Sequence, residues 1–199
     1  MVRPARILII LAILLIPAIS FSAPLKPRPL AGIGLLRLTP LPLQNGPAVK
    51  SIVLYREPGI GRIIEMDISD LPSLLPALKG DTGEILLSVT RKHGEWVKVI
   101  YDDSGREGWL HMARHWQYQP WDTFLKGREV RLLNGLRKNF NQLRATPVAK
   151  APSTGTLTRR ESLRVVDVQD NWILVLVDLA SSGWLRWRDD DGRLMISVE

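Results

Sequence analysis

Two stretches of the sequence decide the fold: LLSVTRKHGEWVKVIYDDSGREGWL, residues 86–110, and LRVVDVQDNWILVLVDLASSGWL, residues 163–185. Each begins with an apolar strand and a polar turn, after which a tryptophan, Trp96 or Trp172, opens a second strand. Apolar residues recur at every second position after each tryptophan, which is typical of half-buried antiparallel strands. Each stretch then ends in the tripeptide Gly-Trp-Leu. The order repeats after about 76 residues and predicts a duplicated small barrel.

Upstream of each stretch lies a short strand that ends in an arginine, Arg56 or Arg144, followed by a proline-bearing turn. Together with the tryptophan strands and the Gly-Trp-Leu ends, this order resembles the bacterial SH3-type domain over roughly residues 50–112 and 139–187. The first copy departs from the family pattern through an insertion at residues 67–78, which carries its own prolines. The resemblance implies a mainly β protein with two tandem SH3-like small β-barrels after an N-terminal signal peptide helix.

These features divide the chain into five predicted segments. They are a signal peptide (1–22), a proline-rich spacer (23–48), a first SH3-like barrel (49–114) with the insertion at 67–78, an aromatic bridge (115–138), and a second barrel with a C-terminal hairpin (139–199). The bridge carries Trp116, Trp121 and Phe124, which either pack between the barrels or form an exposed aromatic strip for a ligand. Flexible linkers are usually rich in glycine and serine, so the aromatic composition favours packing.

The N-terminus has the pattern of an export signal. Arg3 and Arg6 precede an apolar run, residues 7–19, which is broken only by Pro17, and the small residues Ser20 and Ser22 follow it. The run is shorter than the ~20 apolar residues that a transmembrane helix requires, so we expect cleavage after Ser22. A lipoprotein anchor would need a cysteine, and the chain has none. The sequence thus predicts a periplasmic or secreted protein that contacts the membrane only through this segment, if it is left uncleaved.

The residues that catalysis would need are missing or lack their partners. Without cysteine, neither disulfides nor Cys–His chemistry is possible. No serine is followed three residues later by lysine, as Ser-Lys acyl transfer would require. His111 and His115 have the spacing of two metal ligands on one helix face, but Met112 stands where a zinc peptidase has its glutamate. The Asp189–Asp191 run lacks the later glutamate of a calcium loop and is interpreted as a charged turn. We therefore predict no catalytic residue, no metal, no cofactor and no enzymatic activity.

The net charge of the chain is +7, of which the N-terminal Arg3 and Arg6 account for two. The remaining surplus either favours anionic partners such as acidic polymers or simply serves solubility. Nucleic-acid binding would also suit a basic chain, but an exported protein meets no nucleic acid in its compartment.

The resemblance implies binding in a groove that is lined by aromatic residues and a few charges. The residues expected near it are Tyr55, Arg56, Trp109, Arg144 and Trp184. The alternative role of the two Gly-Trp tryptophans is to cap the barrel cores. The predicted function is a non-catalytic binding or adaptor protein of the cell envelope, which recognises peptidoglycan or another envelope polymer, or an envelope protein. The alternative function is a structural or regulatory subunit of an envelope enzyme complex, without affinity for polymer. Nothing in the sequence indicates the oligomeric state.

Overall fold

The computed structural model describes residues 28–38, 51–74, 77–78, 84–158, 160–178 and 180–199. The predicted signal peptide, residues 1–22, lies outside these described residues. Across the part of the chain that is described, no helix has the length and apolarity needed to cross a membrane.

The described chain is mainly β, which confirms the predicted class, and it forms two antiparallel sheets of seven strands each. The strands of the first sheet are β1 (Gly34–Leu38), β2 (Ser51–Glu57), β3 (Ile60–Asp67), β4 (Ile85–His93), β5 (Trp96–Ile100), β6 (Glu107–His111) and β7 (Gln117–Pro120). Those of the second are β8 (Glu129–Leu132), β9 (Gln142–Arg144), β10 (Ser153–Thr156), β11 (Leu163–Gln169), β12 (Trp172–Val177), β13 (Ser181–Arg186) and β14 (Ile196–Val198). A helix, α1 (Trp121–Leu125), lies between the two sets, and short 3-10 turns cover Ile68–Asp70 and Lys138–Asn141.

The two sheets have the same topology. The strand order is β3-β2-β6-β5-β4-β1-β7 in the first and β10-β9-β13-β12-β11-β8-β14 in the second, so each strand of one corresponds to the strand seven places later. The duplication that the tryptophan hairpins predict therefore extends to all seven strands. Both sheets are open within the described residues, since their two edge strands do not pair with each other. We call residues 34–120 the first unit and residues 129–198 the second unit.

Strand β1 lies inside the predicted proline-rich spacer, residues 23–48, and the spacer interpretation therefore does not hold for Gly34–Leu38. This strand pairs with both β4 and β7 and occupies an interior position in the first sheet. Its sequence lacks the alternation of a half-buried strand because both faces are covered. Leu36 and Leu38 point into the core of the first unit, whereas Leu35 packs against the second unit.

Each unit has its own hydrophobic core. Val97 and Val99 of β5 belong to the first core, and Ile173 and Val175 of β12 belong to the second. The first core consists of Leu36, Leu38, Ile52, Leu54, Leu71, Leu87, Val89, Val97, Val99, Tyr101, Leu110 and Trp116. The two tryptophan hairpins thus belong to separate cores, as a duplicated domain requires.

The two cores meet because the first unit and the segment before it send side chains into the second core. These are Ala31, Leu35, Leu74, Ala77, Leu78 and Leu86. Three of them come from the insertion at residues 67–78, which has no equivalent in the second unit. Its end is also hydrogen-bonded across the junction, since the backbone N–H of Val198 donates to the carbonyl of Ala77 at 2.8 Å. The insertion therefore acts as a wedge that joins the units.

Residues 28–32, which we call the strap, run along the C-terminal hairpin of the second unit. In this hairpin Arg188 and Leu194 form an antiparallel bridge, as the Asp-Gly turn signal predicts. The N–H of Ala31 donates to the carbonyl of Gly192 at 2.8 Å, and the N–H of Leu194 donates to the carbonyl of Pro29 at 2.9 Å. The strap therefore ties the entrance of β1 to the second unit.

Two further contacts fix the strap. The indole N–H of Trp121 donates to the carbonyl of Ala31 at 2.8 Å, and Nη1 of Arg188 donates to the carbonyl of Gly32 at 2.8 Å. Gly32 has a φ of +65°, and a Cβ atom there would lie 2.2 Å from the carbonyl oxygen of Val89. Only glycine fits so close an approach of the strap to β4.

The predicted aromatic bridge, residues 115–138, contributes strands to both sheets: β7 pairs with β1, and β8 pairs with β11 and β14. Its three large aromatic residues are buried: Trp116 packs in the first core, and Trp121 and Phe124 pack in the second. The ring centroids of Trp121 and Trp187 are 5.1 Å apart. Burial of all three residues agrees with the packing alternative and leaves no exposed aromatic strip here.

Candidate functional site

The first unit carries an aromatic group on the face of its sheet opposite to the core. Because Val97 and Val99 point into the core, strand alternation places Trp96 and Lys98 on the other face. The register then sets Trp109 beside Lys98 and Tyr55, and His111 beside Trp96. We call the set Tyr55, Trp96, Lys98, Trp109 and His111 the first outer face.

Rings on this face contact one another edge to face. The centroids of Tyr55 and Trp96 are 5.6 Å apart, and those of Trp96 and His111 are 5.0 Å apart. Nε2 of His111 lies 3.4 Å from a carboxylate oxygen of Glu95. Trp109 is only 8% exposed, whereas Tyr55 and Trp96 are half-buried. The surface available to a ligand is therefore formed mainly by Tyr55, Trp96 and His111.

The second unit repeats the arrangement with more positive charge. Its register pairs Trp172 with Arg186, Leu174 with Trp184, and Trp184 with Arg144. Trp172 and Trp184 thus stand where the first unit has its two tryptophans, while arginines replace the tyrosine and the histidine. We call Arg144, Trp172, Leu174, Trp184 and Arg186 the second outer face.

Both arginines of the second outer face are held by neighbouring acceptors. Nη1 of Arg144 donates to the carbonyl of Ala151 at 3.0 Å. The guanidinium of Arg186 forms an ion pair with Asp190, and this hydrogen bond and charge lower the pKa of the Asp190 carboxyl. The two cations are therefore oriented, and the unused N–H groups of Arg144 can still meet an anionic ligand.

The register brings four of the five predicted site residues together as two pairs, Tyr55 with Trp109 and Arg144 with Trp184. The fifth, Arg56, follows Tyr55 in β2, so its exposed side chain projects from the opposite face of the strand. Arg56 is therefore not part of the first outer face. Sequence reasoning overlooked Trp96 and Trp172 as surface residues, although each precedes an apolar alternation and must face away from it.

The two histidines that have ligand-like spacing do not share a helix. His111 ends β6, and His115 lies in the turn that follows. The described residues contain no group of three or more histidine, aspartate or glutamate side chains close enough together to hold a metal ion.

A cavity of about 400 Å³ lies at the junction of the two units. The strap, the insertion and β4 line it together with the turn after β5, the end of β8 and the C-terminal hairpin. The lining residues are Arg28, Pro29, Leu30, Pro72, Ser73, Leu74, Ala77, Ser88, Ile100, Asp102, Asp103, Ser104, Gly105, Leu133, Asn134 and Arg193. A mainly apolar concavity with a few polar groups has the character of a small-molecule site, and its size falls in the usual range.

Polar groups of the cavity come from both units. Ser88 is 4% exposed, and its hydroxyl has no hydrogen-bond partner among the described residues. Asp102 forms an ion pair with Arg106. Desolvation acts to raise the pKa of Asp102, but hydrogen bonds from the backbone and guanidinium of Arg106 lower it overall, so the group is a carboxylate at neutral pH. From the second unit, Arg193 reaches the strap, where Nη1 donates to the carbonyl of Arg28 at 2.6 Å.

The search against known proteins found no family model and no curated protein that matches this chain. The function is therefore inferred from the outer faces and the cavity themselves.

Proposed function

We propose that this chain is a non-catalytic binding protein of the bacterial envelope, periplasmic or secreted, whose two units are SH3-like small β-barrels. Its ligand is a cell-wall polymer such as peptidoglycan. The observation that carries the proposal is the recurrence of two tryptophans on the outer face of both units, at positions matched by the strand register.

Three of the four recurrent tryptophans, Trp96, Trp172 and Trp184, keep part of their surface exposed, whereas Trp109 is buried. Within the described residues, neither hydrophobic cluster includes Trp96, Trp109, Trp172 or Trp184. An aromatic ring that remains half-exposed on a sheet face keeps apolar area in water, which is unfavourable unless a partner covers it. Flat rings with polar edges suit stacking on sugars and on peptide groups. Retention of a partly exposed tryptophan at the same strand position in both units, Trp96 and Trp172, supports a role in contact with ligand.

Charge supports an anionic polymer as the ligand. The chain carries 27 basic against 20 acidic side chains, and the second outer face adds Arg144 and Arg186 around its tryptophans. A basic surface raises the local concentration of a polyanion and speeds encounter with it. Two linked faces on one chain would also bind a repetitive polymer more tightly than either face alone.

A protein partner is the second candidate function, and the edge strand β3 favours it. β3 has eight residues, against four in the equivalent β10. Ile60 of β3 is 71% exposed, and Ile63 and Ile64 are exposed as well. A long apolar edge strand is a template on which a second chain can add a strand. Docking of this kind is what a structural or regulatory subunit without polymer affinity would use.

Co-sedimentation with purified peptidoglycan sacculi tests the first proposal. We expect the wild-type protein to pellet with sacculi, and the double variant Trp96→Ala/Trp172→Ala to bind at least about tenfold more weakly, since truncating a tryptophan at the centre of a contact surface typically costs ~2 kcal/mol or more. The matched control Ile33→Ala changes an exposed apolar residue between the strap and β1 that belongs to neither outer face, and it should bind normally. Unfolding midpoints of all variants show whether the fold is intact. Wild-type protein that stays wholly in the supernatant would exclude the polymer and leave the protein partner as the better proposal.

A further inference from the structure

We propose that the cavity between the units is a second binding site, separate from the outer faces, which takes a small zwitterionic ligand with an apolar body, such as a short apolar peptide with both ends free. The site exists only where the two units meet, because the strap and the insertion provide one wall and the C-terminal hairpin provides another. It does not depend on the polymer proposal.

The size and the walls of the cavity fit an apolar body. A volume of about 400 Å³ corresponds to roughly 13 water molecules at ~30 Å³ each, which is the scale of a dipeptide or tripeptide. Leu30, Leu74 and Ile100 contribute apolar walls, and Leu74 and Ile100 are themselves buried. Water against such walls is released when an apolar side chain enters, and this release favours binding.

Arg193 is the cation that binds the carboxylate of the ligand in this proposal. Arg28 also lines the cavity, but it forms an ion pair with Asp189. Arg193 has no carboxylate within ion-pair distance among the described residues, and its one described side-chain hydrogen bond, to the carbonyl of Arg28, uses a single donor. A guanidinium has five donors in a planar fork that matches a carboxylate. Arg193 is thus placed at the cavity with donors available.

The opposite charge comes from the first unit. Asp102 and Asp103 follow β5 in the turn that lines the cavity. Asp102 is held in place by Arg106, through its side chain and through the backbone N–H at 2.8 Å. Arg106 offsets the charge of one of the two carboxylates, so the turn as a whole keeps a net negative charge that attracts a ligand ammonium group. Because one unit supplies anions and the other supplies Arg193, a ligand that carries both charges is matched better than one that carries either alone.

Ser88 adds an unused hydrogen-bonding group. Its side chain points away from the first core, since its neighbours Leu87 and Val89 point into it. Buried polar groups nearly always have partners, and a group without one calls for an explanation. A peptide N–H or carbonyl in the cavity would provide that partner.

Calorimetric titration of the full chain with the dipeptide Leu-Leu tests this inference, with N-acetyl-Leu-Leu and Leu-Leu-amide as probes that each lack one charge. We expect Leu-Leu to bind and each blocked analogue to bind at least about tenfold more weakly, because each loses a charge-assisted hydrogen bond. Arg193→Gln should weaken the binding of Leu-Leu by a similar factor and leave the affinity for Leu-Leu-amide unchanged. The matched control Arg164→Gln removes an exposed charge away from the cavity and should bind as the wild type does.

A second variant, Asn134→Trp, keeps the test valid if Arg193→Gln fails to fold, because Asn134 is exposed at the cavity and a larger side chain there blocks entry. Amide chemical shifts should change at Ser88, Ile100 and Leu133 and not at Trp96 or Trp172, which separates this site from the outer faces. Absence of binding at millimolar dipeptide, equal affinity for the blocked analogues, or shifts confined to the outer faces would each overturn the inference. None of these results bears on sedimentation with sacculi.

Discussion

Leu86 and Leu87 are neighbours in β4 that face different cores, so truncating each in turn tests whether the two units fold as one. Leu86 is 1% exposed and packs in the second core, while Leu87 is 0% exposed and packs in the first. Leu86→Ala and Leu87→Ala therefore remove the same atoms from the same strand and differ only in the core that loses them. Since the first unit, with the strap, contributes six side chains to the second core, we expect both variants to destabilise one shared cooperative transition.

The expected magnitude follows from the burial of both side chains. A fully buried leucine replaced by alanine loses its transfer free energy and leaves a cavity, at a cost of about 2–5 kcal/mol. For a chain of this size, each kcal/mol lowers Tm by roughly 2–4 °C, so either variant should melt roughly 4–20 °C below the wild type. A loss of about 2–5 kcal/mol is a large share of the free energy of unfolding of a typical domain, which is ~5–15 kcal/mol.

Urea unfolding followed by far-UV circular dichroism and by tryptophan fluorescence measures the effect. We expect coincident single transitions by both probes, with lower midpoints and unchanged slopes for both variants. Val166→Ala is the control, since Val166 is 52% exposed and should change the free energy of unfolding by no more than ~0.5 kcal/mol. Two separate transitions in the wild type, of which Leu87→Ala moves only one, would refute the shared core. A decrease of less than ~0.5 kcal/mol in the free energy of unfolding of Leu86→Ala would also refute it.

Gly32→Ala should destabilise the protein by several kcal/mol and accelerate amide exchange in the strap, because Gly32 has a positive φ and the added Cβ atom would clash with the carbonyl of Val89. The control is Gly94→Ala, at a turn where φ is +59° and no atom lies within 4 Å of the new Cβ atom. It should lower the free energy of unfolding by only about 1–2 kcal/mol, the cost of the left-handed backbone. Equal losses of stability for the two variants in thermal melts would show that the strap contact is unimportant. In an NMR titration, Arg186→Gln should raise the pKa of Asp190 toward its ordinary value, because the hydrogen bond and charge of Arg186 lower it. A pKa that is lower in the folded state implies stabilisation present above the ordinary carboxyl pKa and lost as pH falls through the lowered value, so an unchanged Asp190 titration in the variant would contradict the ion pair.

The tryptophan hairpins were predictable because they follow local rules. Period-two alternation after Trp96 and Trp172 and the turn signals between strands are properties of adjacent residues, and they are repeated. The mainly β class and the duplication follow from them directly. Strand β1 was not predictable in this way, since Leu35, Leu36 and Leu38 face two different cores and leave no alternation to detect. Prolines on both sides of it also favoured the spacer interpretation.

The outer faces and the cavity also differ in how far the sequence predicts them. The register places Tyr55 beside Trp109 and Arg144 beside Trp184, whereas strand alternation places Arg56 on the opposite face of β2 from Tyr55. The cavity had no signal in the sequence at all. Its walls come from segments as far apart as Leu30 and Arg193, and only the docking of the units brings them together. Contacts at such separation are set by topology, which a linear pattern does not encode.

The wedge and the strap also have a consequence for the order in which the chain matures. A nascent first unit can pair its own seven strands, but Leu35, Leu78 and Leu86 then remain uncovered until the second unit has been synthesised. During that interval the first unit exposes an apolar surface, which is the kind of surface that chaperones bind and that drives aggregation. Because the strap is hydrogen-bonded to the C-terminal hairpin, it can take its final position only after that hairpin has been synthesised.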